Sequence, residues 1–490
     1  MSVPFDASAF LRASGAWRRR RARRLDAMAA QRRTLAALLA QAAGTRFGRA
    51  HGFAALQGVR DFQRAVPLRR WEAMWRDWWA ADFPVLVDVS WPGRIPFFAQ
   101  SSGTTTGSTK HIPVSDAMVR ANKAATLEVL AWHLAAKPGA RPLAGANFML
   151  GGSTALAELA PGVRAGDLSG IAAATIPAFL RPWTFPPPAI ALEPEWPRKL
   201  ARLVEDAPAD TRLIGGTCSW LLLLLERLAE RRGTPPLPDL ELLIHGGVAW
   251  PPYRERMRAL IPPGCDTREV FAASEGFFAL QDAAEGAGMR LLPDNGIFFE
   301  FVPLGALDAP DPPRLTLAEV TTGVDYALVV STNAGLFAYL VGDVVRFTTL
   351  DPPRVLVSGR TAWTLSTFGE HLSGAEILAA LEGVPWREFM VGAELDGPIG
   401  RHRWMIEADG DAEGLAAMLD ARLSAANDDY RAHRAGGQLA APAVELLPAG
   451  RFAAWMESIG KGGGQHKVPR VVDDPARFAA FRDGLRAPRG

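Results

Sequence analysis

Short apolar runs alternate with longer stretches of helical spacing from about residue 95 onward. The apolar runs have the length and composition of strands and cover residues 95–100, 147–152, 241–247, 267–274 and 297–304. Between them, apolar residues recur three and four positions apart, which predicts helices over residues 115–136, 219–233 and 251–262. Strands that alternate with helices in this way predict an α/β architecture.

A second β-rich block ends at Arg360, where the pattern changes. Strands are predicted in this block over residues 314–320, 326–332, 337–347 and 354–360. After it, helices and isolated strands are predicted over residues 374–382, 402–408, 413–434 and 443–448. The sequence therefore predicts a large N-terminal domain over residues 1–360 and a small α+β domain over residues 361–490.

The N-terminal segment is rich in Arg and Trp. The basic run from Arg18 to Arg24 is predicted to be the solvated face of a helix, because no aromatic residues interleave it as they do in a nucleic-acid surface. The tryptophans that follow stand at helical spacing and are predicted to pack in the core; they are Trp71, Trp75, Trp78 and Trp79.

Composition narrows the classes of function. Of 490 residues, 48% are hydrophobic and 22% charged, and the net charge of +2 gives no broad field that would attract nucleic acid. The two cysteines are too few for a disulfide framework or a thiolate metal site. No stretch approaches the roughly 20 apolar residues that span a bilayer, and the N-terminus lacks the apolar core of a signal peptide. We expect a cytoplasmic protein without a nucleic-acid or membrane partner; the oligomeric state is not predicted.

The loop between residues 98 and 115 is dense in small hydrogen-bond donors. Its candidate ligand-binding residues are Ser101, Ser102, Gly103, Thr104, Thr105, Thr106 and Lys110. The spacing Gly103-x3-Gly107-x2-Lys110 differs from that of a P-loop, and an extended segment follows where a P-loop opens a helix. We predict a β-hairpin whose N–H groups and hydroxyls clamp a polyphosphate. A polar hairpin without a ligand is the alternative.

Lysine is rare in this chain, since six of the 54 basic residues are lysines. Three of the six, Lys110, Lys461 and Lys467, lie beside glycine-rich stretches. A compact ammonium suits phosphate chemistry better than a rigid guanidinium fork. Lys467 is therefore a candidate to move, with a mobile second domain, onto a developing negative charge.

Ser274 and Glu275 allow two interpretations. In the first, Ser274 is the nucleophile of a serine hydrolase in a degenerate nucleophile elbow, although bulky phenylalanines follow it. Its base would then be one of the later histidines, His371, His402, His433 or His466. In the second, both residues lie at the end of a strand, where the hydroxyl reaches an α-phosphate and the carboxylate holds Mg²⁺. We favour this metal–nucleotide interpretation.

Asp343 follows a glycine within residues 339–347, where a turn between strands is predicted. An ionised carboxylate offers two acceptor oxygens and can bind both hydroxyls of a ribose. Taken alone, this signal also fits an ordinary turn residue.

In their order along the chain, these motifs resemble the Gretchen Hagen auxin-responsive family of acyl-acid amido synthetases. The matching segments are residues 101–110, 244–257, 271–276, 325–347, 359–360 and 464–470. The resemblance implies the fold of the wider adenylate-forming group, which includes acyl-CoA synthetases and luciferase. In that fold, a large N-terminal domain has mixed β-sheets flanked by helices and a β-barrel-like part, and a small α+β domain is mobile.

The resemblance also implies a two-step reaction that uses ATP and Mg²⁺. A small carboxylic acid, hydrophobic or aromatic to judge from the apolar helices and loops, attacks the α-phosphate and releases pyrophosphate. The amine of an amino acid then displaces AMP from the acyl-adenylate to leave an amide. The expected partners are these two substrates.

By the same resemblance, residues 101–106 and Lys110 would hold the β- and γ-phosphates, and Glu275 would hold the metal ion. Lys467 would be the lysine that the small domain supplies to one half-reaction, and Arg360 would lie by the hinge. The remaining residues would contact the AMP moiety: the turn Gly246–Gly247 and Phe271 at the adenine, Ser274 at the α-phosphate and Asp343 at the ribose.

The sequence departs from the family at several of these positions. Phe271 stands where the family usually has Tyr, and Ala338 and Leu340 stand where Arg is frequent. His371 ends a segment in which the family has Lys. The alternatives that remain open are an acyl-CoA ligase with a thiol acceptor, a serine hydrolase that uses Ser274, and a nucleotide-binding protein that has lost catalysis.

Overall fold

The computed structural model describes most of the chain. The described residues are 5–101, 110–151, 155–193, 196–248, 250–251, 253–307, 309–361, 364–395, 399–459 and 468–486.

The strands are β1 Phe97–Ser101, β2 Lys110–Val114, β3 Ala146–Met149, β4 Ala157–Ala160, β5 Val163–Gly166, β6 Thr184–Phe185, β7 Thr211–Thr217, β8 Leu242–Gly246, β9 Asp266–Ala273, β10 Gly276–Leu280, β11 Met289–Leu291, β12 Ile297–Pro303, β13 Asp325–Thr332, β14 Tyr339–Leu350, β15 Pro353–Arg360, β16 Thr364–Leu365, β17 Leu372–Ser373, β18 Phe389–Glu394, β19 Arg401–Glu407, β20 Ala443–Leu447 and β21 Val471–Val472.

The α-helices are α1 Ser8–Arg23, α2 Ala27–Ala42, α3 Arg46–Ala50, α4 Val59–Ala65, α5 Trp71–Met74, α6 Asp116–Ala136, α7 Leu168–Ala174, α8 Pro188–Ala191, α9 Trp196–Asp206, α10 Cys218–Arg232, α11 Arg254–Leu260, α12 Gly374–Ala380, α13 Ala412–Ala426, α14 Asp428–Ala435, α15 Arg451–Ser458 and α16 Pro475–Arg486.

The dominant sheet of the described residues has eleven strands in the order β12-β13-β14-β15-β11-β10-β9-β8-β7-β3-β6. At one end of this sheet the neighbouring strands β6, β3, β7, β8 and β9 are parallel. From β9 to β12, neighbouring strands pair antiparallel. Parallel strands end at the same edge of a sheet, and ligands of α/β proteins bind at that edge. The carboxyl ends of β7, β8 and β9 therefore define the expected position of a site.

Helices cover both faces of the parallel part, as such strands require. The buried Leu224, Leu225 and Leu228 of α10 pack on one face together with residues of α9 and α11. Val129 and Leu130 of α6 pack on the other face. The prediction of an α/β architecture is confirmed, and strands lie where the apolar runs from residue 95 to residue 304 predicted them.

The described strands after Arg360 form separate sheets, one of two strands and one with the order β20-β19-β18-β21. We propose that the predicted boundary at Arg360 divides the chain, and we call residues 1–360 the large domain and residues 361–490 the small domain.

Two sequence predictions of secondary structure are wrong. Residues 314–320 form no strand beyond one bridge at Leu315, because Glu319 accepts hydrogen bonds from the backbone and hydroxyl of Thr316 and closes a turn. The single helix expected over residues 413–434 is two helices, α13 and α14. Asn427 has an extended backbone between them, and its side chain accepts from Tyr430 N as the N-cap of α14.

The basic run forms the largely exposed C-terminal part of α1, as predicted, although Arg18 and Arg19 are half-buried. Arg18 pairs with Glu128 at 3.2 Å, Arg19 donates to the carbonyl of Ala131 at 2.7 Å, and Arg21 pairs with Asp294. These contacts bind α1 to α6 and to the loop before β12. The prediction for the four tryptophans is confirmed, since Trp71 and Trp79 are buried and Trp75 and Trp78 pack against the same core.

Gln31 of α2 joins the N-terminal helices to the large sheet. Its buried side-chain amide donates to the carbonyls of Pro293 and Ile297 at 2.7 and 2.8 Å and accepts from Phe299 N at 2.7 Å. A buried backbone group that loses its partner costs about 1–3 kcal/mol. Gln31 therefore carries a large share of the attachment of α2 to β12.

We expect Gln31→Leu to lower the melting temperature by about 5 °C or more, because three buried hydrogen bonds are lost together. Thermal unfolding followed by circular dichroism measures this shift. The exposed neighbour provides the control, Arg32→Leu, which should melt like the wild type. Equal melting temperatures for both variants would contradict this role of Gln31.

Candidate functional site

A cavity of about 2190 Å³ opens at the carboxyl ends of the parallel strands, and residues of both domains line it. The predicted site residues that line it are Lys110, Gly246, Gly247, Phe271, Ser274, Glu275, Asp343 and Arg360. Residues that are up to 250 positions apart in the sequence are thus gathered in one space.

The two strands that flank the hydroxyl-rich segment pair as the predicted β-hairpin requires. Strands β1 and β2 pair antiparallel, and Ser101 lies opposite Lys110 in the register. The predicted residues Ser102, Gly103, Thr104, Thr105 and Thr106 lie outside the described residues, as do Lys461, His466 and Lys467, and only the backbone of Ser101 is described. Their roles stay predictions.

Lys110 projects from β2 into a polar corner of the cavity. Its Nζ lies 3.8 Å from Glu72 Oε1 and 5.9 Å from the centroid of the Trp71 ring. Burial lowers the pKa of Lys110, while the charges of Glu72 and Glu275 oppose the shift. The ammonium is thus held beside carboxylates at the cavity wall.

Ser274 and Glu275 form the turn between β9 and β10, in which Ala273 pairs with Gly276. A nucleophile elbow needs a helix after the serine, and here a strand follows. The prediction that both residues lie at the end of a strand is confirmed, and the elbow interpretation is wrong for this backbone.

Glu275 is a buried carboxylate in a charged surrounding. Burial, and then the charge of Asp343, raise its pKa, while Lys110 and Arg360 counteract them. Burial and the neighbouring charge of Glu275, to which its hydroxyl is hydrogen-bonded, likewise raise the pKa of Tyr339 well above its ordinary value. A cation brought to the cavity would therefore stabilise the ionised form of this carboxylate.

Asp343 lies inside the long strand β14 and not in a turn between strands, so that prediction is wrong. The preceding Gly342 has φ 103° and sits at an irregularity in the pairing with β13, between Leu340 and Val344. Asp343 pairs in register with Arg360 of β15, and Arg360 Nε lies 3.0 Å from Asp343 Oδ1. The bulge turns the carboxylate toward the cavity, and Arg360 holds it there.

The glycine turn after β8 depends on close backbone approach. A Cβ at Gly246 would lie 2.4 Å from the carbonyl oxygen of Val270, and Gly247 has φ 81°. Phe271 packs edge-on against Phe278, with ring centroids 4.9 Å apart. The turn and the ring together border one part of the cavity.

The positions that depart from the family fit their surroundings. Ala338 is fully buried, and Leu340 is 6% exposed in an apolar cluster with Val329 and Ala327. His371 has φ 46°, and its Nδ1 lies 2.8 Å from the carbonyl oxygen of Gly369.

Sequence reasoning missed two features of the cavity wall. Tyr339 lies inside the strand predicted over residues 337–347, and its sequence surroundings mark it only by the rarity of tyrosine, of which the chain has four. Asp167 and Lys199 also line the cavity. Burial raises the pKa of Asp167 to about 6 and lowers that of Lys199 to about 8. Neither has a local motif that would mark it, since the loop before α7 and helix α9 meet only in the folded chain.

The donor set fits a hard metal ion that arrives with phosphate. The described residues contain no group of three or more His, Cys, Asp or Glu side chains placed to hold a metal by themselves. Glu275 and Asp343 are nevertheless two carboxylates of one cavity, and Mg²⁺ commonly takes one or two carboxylates and completes its shell with phosphate oxygens and water.

Two solved structures share this fold. The acyl acid amido synthetase GH3.15 matches with a TM-score of 0.58 and 17% identity, over 94% of each chain. A 2-hydroxyisobutyryl-CoA ligase in complex with 2-HIB-AMP and CoA matches with a TM-score of 0.57 and 19% identity, over 94% of this chain and 92% of the ligase. The fold is therefore that of the adenylate-forming enzymes, as the sequence resemblance implied.

Three family models identify the group within this fold. They describe the N-terminal, central and C-terminal domains of the GH3 family and match residues 21–193, 290–360 and 373–476, together more than half of the chain. The protein belongs to the GH3 family, which is the Gretchen Hagen family that its motifs resemble.

Curated relatives agree with this assignment. An indole-3-acetic acid-amido synthetase, GH3.8, from Oryza sativa subsp. indica is 27% identical over 58% of this chain and 51% of its own length. A probable enzyme of the same kind, GH3.1, from Arabidopsis thaliana is 27% identical over 49% of this chain and 44% of its own. The chain thus spans about half the length of the curated relatives it matches. Among the described residues, every helix is too short or too polar to cross a bilayer.

We expect Glu275→Gln to stabilise the protein at pH 7. The folded pKa of Glu275 is raised, so its contribution to stability is full below the ordinary pKa of 4.5 and is lost as the pH rises through the folded value. A neutral amide escapes this loss. The variant should therefore melt above the wild type at this pH, by about 1 °C for each kcal/mol gained in a chain of 490 residues.

Melting temperatures measured between pH 5 and pH 8 test this expectation, because the gain should shrink toward acid pH. Glu230→Gln, at an exposed carboxylate, is the control and should change little. A Glu275→Gln variant that melts at or below the wild type at every pH would show that the ionised Glu275 carboxylate does not destabilise the folded protein.

Proposed function

We propose that the protein is an ATP-dependent acyl-acid amido synthetase. The observation that carries the proposal is the gathering of Lys110, Glu275, Asp343 and Arg360 around one cavity at the carboxyl edge of the sheet. Family membership, and the enzymes named among the relatives, support the same reaction. The proposed substrates are ATP, a carboxylic acid and an amino acid, and the proposed cofactor is Mg²⁺.

In the first half-reaction, a carboxylate oxygen of the acid attacks the α-phosphorus. A bond from oxygen to phosphorus forms, the bond to the bridging oxygen of the β-phosphate breaks, and pyrophosphate leaves. Negative charge accumulates on the phosphate oxygens, so fixed cations and donors lower the barrier. Lys110 and the hairpin residues 101–106 would supply them beside the β- and γ-phosphates, and Ser274 would contact the α-phosphate.

Glu275 would bind Mg²⁺, which supplies charge neutralisation at the phosphates. Phe271 and the Gly246–Gly247 turn would border the adenine. Asp343, fixed by its ion pair with Arg360, would accept hydrogen bonds from the ribose hydroxyls.

In the second half-reaction, the amine nitrogen attacks the acyl carbon. The bond from that carbon to the AMP oxygen breaks, AMP leaves and the nitrogen gives up a proton. A small domain that moves between the two steps would bring Lys467 to one of them. The acid would lie against the apolar part of the cavity wall, which includes Leu127, Leu130, Ile171, Ile176 and Leu180, so we propose a small hydrophobic or aromatic acid.

An acyl-CoA ligase is the second candidate, because a CoA ligase shares the fold. The acceptor separates the two candidates. Release of AMP from the acyl-adenylate by amino acids in the absence of CoA supports the amido synthetase, whereas release by CoA alone supports the ligase.

A screen of carboxylic acids with pyrophosphate release as the readout tests adenylation. With an acid that the wild type adenylates, we expect Glu275→Gln and Lys467→Ala each to slow pyrophosphate release by about 100-fold or more. Each substitution removes one charge from the surroundings of the transition state.

The matched controls for this experiment are Glu230→Gln and Lys137→Ala, both at exposed positions, and they should retain wild-type rates. Wild-type rates in the two site variants would mean that other residues carry the reaction. No affinity of the wild type for Mg·ATP would overturn the proposed function.

A further inference from the structure

Two hydrogen bonds, one buried and one partly buried, connect the small domain to the large one beside the cavity. The Tyr253 hydroxyl, just before α11, donates to the carbonyl oxygen of Thr367 at 2.7 Å. Trp220 Nε1, in α10, donates to His433 Nε2 in α14 at 2.8 Å. Tyr253 and His433 are each 4% exposed, so water competes weakly for these bonds.

The second bond fixes the proton of His433. An indole N–H only donates, so His433 Nε2 must carry the lone pair and Nδ1 the proton. Nδ1 lies 2.6 Å from the carbonyl oxygen of Asp429, which accepts that proton in a hydrogen bond. The contact with Trp220 therefore exists only for the neutral imidazole in this tautomer.

The bond from Tyr253 is connected to a later part of the small domain, because Thr367 also hydrogen-bonds to Asp473. The Asp473 carboxylate accepts from the backbone N–H groups of Ser366 and Thr367 at 2.7 and 2.8 Å and from their hydroxyls at 2.9 and 2.8 Å. Asp473 follows β21 and stands six positions after Lys467. Tyr253 thus holds, through Thr367 and Asp473, the part of the small domain that carries the predicted lysine loop.

In this arrangement the charged residues with which the described part of the small domain lines the cavity are acidic. Asp428, Asp429, Asp473 and Asp474 line it, whereas no Lys or Arg among the described small-domain residues does so. Such a face repels a triphosphate and tolerates an ammonium group. The arrangement therefore suits the half-reaction in which an amine enters and no polyphosphate is handled.

We propose that Tyr253 and Trp220 form an interdomain latch that holds the small domain in the arrangement for amide transfer. The proposal rests on the proposed function and names the residues that set the balance between its two steps. Both are positioning residues, because each acts through the small-domain residue that it binds.

The latch is sensitive to acid. Burial lowers the pKa of His433, against the opposing influence of the Asp429 carbonyl, Glu370 and the Asp429 carboxylate, while His371 adds to the lowering. The latched state favours the neutral ring, so its advantage is full above the ordinary pKa of 6.5 and is lost as the pH falls below it.

Two conservative variants test the latch, since Tyr253→Phe and Trp220→Phe each delete one donor and keep an aromatic ring. The controls are Trp250→Phe, at a buried indole N–H that has no hydrogen-bond partner among the described residues, and Tyr326→Phe, at a hydroxyl that hydrogen-bonds within the large domain. Two rates are measured separately: acid-dependent exchange of pyrophosphate into ATP, and amide formation from a supplied acyl-adenylate.

We expect each latch variant to lower the ratio of amide formation to adenylation by about 3- to 10-fold, and the double variant by about 10-fold or more, as the loss of one or two hydrogen bonds implies. Hydrogen exchange should rise in residues 364–371 and 429–433 of these variants, and below pH 6.5 in the wild type. The controls should change neither readout.

An unchanged ratio, an equal fall of both rates, or unchanged exchange in these segments would each overturn the latch. A wild type that adenylates no acid would overturn the proposed function instead. The exchange measurement still reports on the two hydrogen bonds in that case, so the two failures can be told apart.

Discussion

The site is organised around a carboxylate that the fold keeps out of water. Glu275 occupies the turn that β9 and β10 form at the edge of the large sheet, with Tyr339 bonded to it and Asp343 nearby. Two like charges in a buried space are unfavourable, and the cations Lys110 and Arg360 offset only part of that cost. A cation bound beside Glu275 would therefore stabilise its ionised form.

The strand order is what makes this arrangement possible. In the large sheet, a parallel half brings the carboxyl ends of β7, β8 and β9 together, and an antiparallel half carries β14 and β15 with Asp343 and Arg360. The hairpin of β1 and β2 belongs to a different sheet and brings Lys110 to the same cavity. Each charged group thus stands on a strand or at its end, where neighbouring strands fix the backbone.

The contacts between the small and large domains are a second determinant of the site. Its contacts with the large domain include single, directional hydrogen bonds whose donors are Tyr253 and Trp220. Bonds of this strength can be exchanged between arrangements, whereas a large apolar interface would lock one of them. The proposed reaction, with its two successive half-reactions, would need interdomain contacts of the first kind.

The sequence by itself determined the α/β class, the antiparallel pairing of β1 with β2 and the positions of Ser274 and Glu275 at a strand end, because each depends on local spacing of apolar, small and polar residues. It failed at Asp343, where a bulge inside β14 has the same local composition as a turn, and at residues 413–434, where Asn427 ends one helix and caps the next. Only the tertiary structure decided that Tyr339 bonds Glu275, that Arg360 pairs with Asp343, and that Trp220 meets His433. These contacts join residues that are distant in the chain, and strand order and domain packing, which no local pattern encodes, bring them together.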